Sequence, residues 1–149
     1  MLQRRTTTFF SILIAFFALW WPAIVKAQTP VSVAGHWRGT RSATGGSGSD
    51  AFKIHNISFD LKQSGDGITG TYRCYAAKKA NTECNNPVGN VTGGKIEDGK
   101  VTINVQAQPN SLQCTFNGSL EGSKMKGQFT CYEGGGLQSN GVFDVHRKE

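Results

Sequence analysis

The chain has 149 residues, with 16 Lys and Arg against 10 Asp and Glu, three His, four Cys and a formal net charge of +6. That length holds one domain around one core. The absence of any Lys/Arg run argues against a nucleic-acid-binding protein. Much of the basicity is local, because without Arg4, Arg5 and Lys26 only 13 basic side chains face the 10 acidic ones.

Those three cations bracket an address. "MLQRRTTT" precedes the apolar block "FFSILIAFFALWWPAIV", and "VKA" ends in small-residue positions suited to cleavage after Ala27. A signal peptide is expected over 1–27, with an uncleaved anchor as the alternative. The remaining 28–149 form a single secreted or periplasmic domain, with no stable membrane span after cleavage. Four cysteines in an exported chain read first as two disulfides with three possible connectivities. A zinc site is the competing reading, but Cys74, Cys84, Cys114 and Cys131 contain no CxxC pair.

"GHWRGTR" (35–41) alternates Gly35, Trp37 and Gly39 on one face and predicts the first strand. "SATGGSGSD" (42–50) reads as a flexible loop. In "AFKIHNISF", Phe52 and Ile54 have the opposite parity to Ile57 and Phe59. A bulge near His55–Asn56 is expected to reconcile them; otherwise they form an outward apolar spot.

Three hairpins follow. "FDLKQSGDGITGTYRCY" folds about Gly65–Asp66, setting Ile57 against Cys74 and Phe59 against Tyr72. "VTGGKIEDGKVTINV" folds about Asp98–Gly99, a type I′ signal, with Gly94 opposite Ile103. "SLQCTFNGSLEGSKMKGQFTCYE" is mirrored about Gly122–Ser123, where glycine first suits a type II′ turn. Phe116 then faces Phe129, and Cys114 faces Cys131 at a non-hydrogen-bonded position about 4.5 Å across, close enough for a disulfide. "NGVFDVHR" (140–147) is the last strand.

Eight antiparallel strands with one apolar face must bury that face and avoid bare edges. An all-β, eight-stranded up-and-down barrel with two disulfides does both; a two-sheet sandwich is the alternative. The tight turns share one end with the start of the first strand. The longer connections (42–50, 76–90, 108–111 and 133–139) share the other, as do all four cysteines. There we expect Cys74–Cys84 and Cys114–Cys131.

The Gly35–His36–Trp37 opening, the meander of short hairpins and the terminal Arg147 resemble the calycins, the superfamily of lipocalins, fatty-acid-binding proteins and avidins, without selecting one of them. The resemblance implies that Trp37 lies at the closed end of the barrel beneath Arg147, in a structural stacking and cation–π pair.

Glycines recur at the inward positions 39, 70, 94, 118, 127 and 141. They permit sharp strand coiling, or else leave a ligand pocket lined by Ile57, Phe59, Tyr72, Ile103, Phe116 and Phe129. The expected function is binding of a small apolar or amphipathic ligand through an open mouth. The alternative is a secreted protein-interaction or inhibitor module that uses the disulfide-pinned rim loops to hold a protein partner. Arg41, Lys78 and Lys79 are expected to be solvated at that mouth, offset by Asp50, Glu83 and Glu133. Nothing here predicts an enzyme: no nucleophile–base constellation is present, His36 and His146 are expected to be solvated, and no catalytic residue, metal or cofactor is assigned.

Overall fold

A computed structural model describes residues 31–75, 84–107 and 111–149. The expected signal peptide and the 76–83 segment, with Lys78, Lys79 and Glu83, lie outside the described residues.

The strands run in chain order: β1 (Gly35–Gly45), β2 (Ile54–Ser64), β3 (Gly67–Tyr75), β4 (Asn85–Glu97), β5 (Lys100–Ala107), β6 (Gln113–Glu121), β7 (Lys124–Glu133) and β8 (Gly136–Lys148). Each pairs antiparallel with its neighbours, and β1 pairs with β8 to close the barrel. Closure leaves no edge to cap. The hairpin registers follow the apolar alternation: Phe59 opposes Tyr72, Gly94 opposes Ile103, and Phe116 opposes Phe129. Turn chemistry agrees. Asp98 and Gly99 both have positive φ, as type I′ requires, whereas at 65–66 and 122–123 only the leading glycine does.

Both disulfides form as expected. Cys74 joins Cys84, and Cys114 joins Cys131 with Cα atoms 4.0 Å apart.

The structure corrects the sequence-based outline at the loop-bearing end. β1 continues to Gly45 and β4 begins at Asn85, so strand replaces much of two expected loops. Gly134 and Gly135, at φ 56° and 82°, make a two-residue turn between β7 and β8 where a longer connection was expected. No bulge reconciles the two halves of "AFKIHNISF". The β1–β2 register runs unbroken through Arg41↔His55, Thr40↔Asn56 and Gly39↔Ile57. His55 therefore takes an inward position, leaving Phe52 73 % and Ile54 67 % exposed.

The inward glycines answer a need for space. A Cβ on Gly39 would lie 1.9 Å from the Asp144 carbonyl oxygen, and one on Gly127 would lie 2.0 Å from that of Asn117. Gly70, Gly118 and Gly141 face similarly close backbone oxygens across the sheet. Neighbouring strands approach too tightly for any side chain at these points, which favours the coiling explanation over the pocket one.

Candidate functional site

Three layers of side chains occupy the lumen. At the closed end, Trp37 is buried and donates its indole Nε1–H to the Val33 carbonyl at 2.8 Å. Arg147, opposite Trp37 in the β1–β8 register, sets its guanidinium carbon 4.8 Å from the indole ring. It also donates to the Ser32 carbonyl. The segment before β1 is thereby drawn across the base of the barrel, where Val33 is fully buried.

The middle layer is aromatic. Phe59 and Tyr72 lie 5.1 Å apart between centroids; Phe116 meets Phe59 edge-on at 5.1 Å and Phe143 edge-on at 5.4 Å; Phe129 stacks on Phe116 at 5.8 Å. These are the separations at which aromatic pairs attract. All six residues read from the sequence as a lining (Ile57, Phe59, Tyr72, Ile103, Phe116 and Phe129) point inward and are buried. The four rings among them pack on one another, so this layer is occupied by protein.

The layer nearest the mouth was not foreseen. Arg41 and Asp50, expected in a solvated loop, are 1 % and 0 % exposed. Arg41 Nη2 donates to Asp50 Oδ2 at 2.8 Å and approaches Cys84 Sγ at 2.9 Å, while Nη1 approaches Cys131 Sγ at 3.2 Å. One guanidinium thus touches both disulfides, and its carbon lies 5.1 Å from the Phe129 ring centroid. His55, also buried, brings Nε2 to 3.3 Å from Asp50 Oδ1, and its Nδ1 has no hydrogen-bond partner among the described residues. Burial alone would raise the Asp50 pKa. The His55 ring, the Arg41 charge and the Cys84 N–H together outweigh that and hold it below the usual aspartate range. The mouth is closed over this cluster, not open.

Alternation contained part of the signal. Arg41 shares the parity of Trp37 and Gly39, and His55 that of Ile57, although Arg41 was expected to be solvated and a bulge was expected at His55. Asp50 sits outside any strand, and its burial has no local signature. It is carried inward by a turn in which Ala51 N–H bonds to the Gly48 carbonyl and Lys53 N–H to that of Asp50.

The donor atoms of Asp50, His55 and Cys84 lie within 4.8 Å of one another. Cys84 is disulfide-bonded and supplies no thiolate, so this trio does not make a metal centre.

No family model matches the chain, and no curated protein matches it. Among solved structures, it is similar to bradavidin2 in complex with biotin, with a TM-score of 0.54 and 13 % identity, covering 80 % of this chain and all of that one. It also matches a mutant of the fluorescent protein UnaG, with a TM-score of 0.38 and 12 % identity, covering 78 % of this chain and 96 % of that one. The likeness to bradavidin2 agrees with the topology: the chain shares the fold of a closed, eight-stranded antiparallel up-and-down barrel.

Proposed function

We propose that the protein is an exported, non-enzymatic binding barrel that takes a small amphipathic molecule at its mouth. The ligand's polar group is directed to Arg41 and its apolar part toward Phe129. One observation carries this reading: the Arg41–Asp50–His55 cluster caps the aromatic column, with Arg41 directly over Phe129. Buried charge next to a ring surface offers the pairing of oriented polar groups and apolar wall that small-ligand sites use. Bradavidin2, a barrel of similar fold, forms a complex with biotin, which makes a small ligand compatible with the architecture. Export is supported by the N-terminal "MLQRR" and apolar block and by the two disulfides, which persist in oxidising compartments.

In this reading Asp50 holds the place of the ligand's head group. Binding requires the 46–53 segment to move, and that segment is tethered to β8 through Ser47 N–H to the Leu137 carbonyl and Gly48 N–H to the Gln138 carbonyl. Thermal-shift and native mass spectrometry against medium-chain carboxylates, their alcohols and neutral alkyl glycosides test it. Saturable stabilisation by the carboxylates, weakened in Arg41→Met, is the expected result. A panel without any stabilising member would sink the reading.

A second reading, contact with a protein at the rim, is favoured by one separate observation. Phe52 is both largely exposed and held at φ 60°, a backbone region costly for a bulky residue. Near it, Ile54 and Val142 flank Ser42 across three adjacent strands. Affinity capture from an exported proteome that is lost in Phe52→Ser, without any ligand-induced thermal shift, would favour this reading over the first.

A further inference from the structure

The outer wall of β1, β2 and β8 carries a feature that neither reading uses. Antiparallel register aligns Arg73, Ser58, Arg38, His146 and Lys124 in one row across five strands. Adjacent positions in such a row are separated by roughly 5 Å. Like charges set side by side across strands are unfavourable without a counter-charge; Lys124 and His146 have one in Asp144, whereas Arg38 has no carboxylate partner among the described residues.

A groove of about 670 Å³ runs along this wall, and its lining includes Arg38, Ser58, Tyr75, His146 and Lys148 but no carboxylate among the described residues. The two acids nearby each face a basic side chain. Asp60 is bound by His36 Nδ1. Asp144 accepts Lys124 at 2.8 Å and lies 3.4 Å from His146 Nε2. Ser58 gives the floor of the groove a short, buried side chain.

Arg38 is aimed as well as charged. Its Nε–H donates to His36 Nε2 at 2.8 Å, and the other ring nitrogen of His36 bonds to Asp60 Oδ1. A neutral imidazole protonated on Nδ1 satisfies both bonds at once, because Nε2 then offers a lone pair. Held through Nε, the guanidinium keeps its Nη1 and Nη2 groups without partners among the described residues. That fork matches two oxygens of an oxyanion.

We infer that this groove is a binding site for a small ring-bearing oxyanion ester, a phosphate or sulfate monoester. Its oxygens meet Arg38 and His146, and its ring lies along Tyr75. The groove lies outside the lumen, and its occupancy is independent of events at the mouth.

The probes are p-nitrophenyl phosphate and p-nitrophenyl sulfate, with p-nitrophenyl glucoside as the neutral control, followed by titration with ¹H–¹⁵N NMR of the full-length domain. Both anions are expected to shift the amides of Arg38, Thr40, Asn56 and His146 saturably, while the glucoside leaves them unmoved. The relative affinities of the two anions identify which ester is preferred. Arg38→Gln should weaken binding by at least about tenfold. His36→Phe, which removes the acceptor that aims Arg38, should weaken it less, with the fold checked by its unchanged amide dispersion elsewhere. Lys100→Gln, on β5, removes one exposed charge without touching the groove and should leave binding unchanged. Equal loss in Lys100→Gln and Arg38→Gln would reduce the effect to diffuse charge and overturn the site. So would shifts confined to the mouth, or binding of the glucoside as strong as that of the esters.

Discussion

Asp50 and Arg41 show how much a single pair decides at the residue scale. Two charges removed from water are tolerated only when each finds the other and its remaining hydrogen-bonding atoms are engaged. Replacing Asp50 with Asn keeps the shape but takes away the charge facing Arg41 and His55. We expect a loss of about 3–5 kcal/mol, read from the urea midpoint at pH 7. The lowered Asp50 pKa adds a pH signature. Its ionised form is favoured in the folded state, so its contribution is complete above the ordinary aspartate pKa. That contribution fades as pH falls through that value toward the depressed folded one. Urea midpoints measured from pH 6 down to pH 3 should therefore fall more steeply in the natural protein than in Asp50→Asn. Parallel profiles would show that the carboxylate contributes nothing.

Hairpins are the element at which local chemistry and packing agree most closely. In β6–β7 the turn glycine, the Phe116–Phe129 pair and the Cys114–Cys131 bridge all specify one register, and a one-residue slip would turn every apolar side chain outward. The same hairpin contains Gly127, where a Cβ would lie 2.0 Å from the Asn117 oxygen and 2.4 Å from the Gly118 Cα. Those atoms are backbone and cannot swing aside. Gly127→Ala should cost at least about 1–3 kcal/mol by overpacking, whereas Gly93→Ala, with open space around its added Cβ, should cost far less. Comparable thermal midpoints for the two variants would argue that the strands do not approach as closely as described.

Closure governs the whole molecule. β1 must meet β8, and Trp37 lies on that seam, with Arg147 over its ring and the Val33 carbonyl on its nitrogen. Removing the indole opens a cavity at the base and frees the 31–34 segment together. Trp37→Ala should thus cost about 3–5 kcal/mol, with the loss of tryptophan fluorescence controlled by parallel circular-dichroism melts.

How much of this could be read from the chain varies with the distance over which each feature is set. Strand alternation is a property of neighbouring residues, so the inward set from Trp37 to Phe143, the hairpin registers, both disulfides and the closed up-and-down order were legible in the sequence. Turn residues such as Asp98–Gly99 carried their geometry with them. The outward placement of Phe52 and Ile54 was legible only as an alternative, because a polar His55 at an inward position looks like an error until its partner is known. That partner, Asp50, belongs to a segment with no periodicity, and only the folded barrel brings it to Arg41. The row of basic residues on the outer wall has the same origin, since Arg73, Arg38, His146 and Lys124 are scattered along the chain and meet only through the pairing of five strands. Sequence by itself determined which side chains face in, because that follows from a two-residue period. Tertiary structure alone decided whether the lumen is hollow or filled, and where buried charge and surface charge converge, because those depend on how closely the strands coil and which distant residues that coiling makes neighbours.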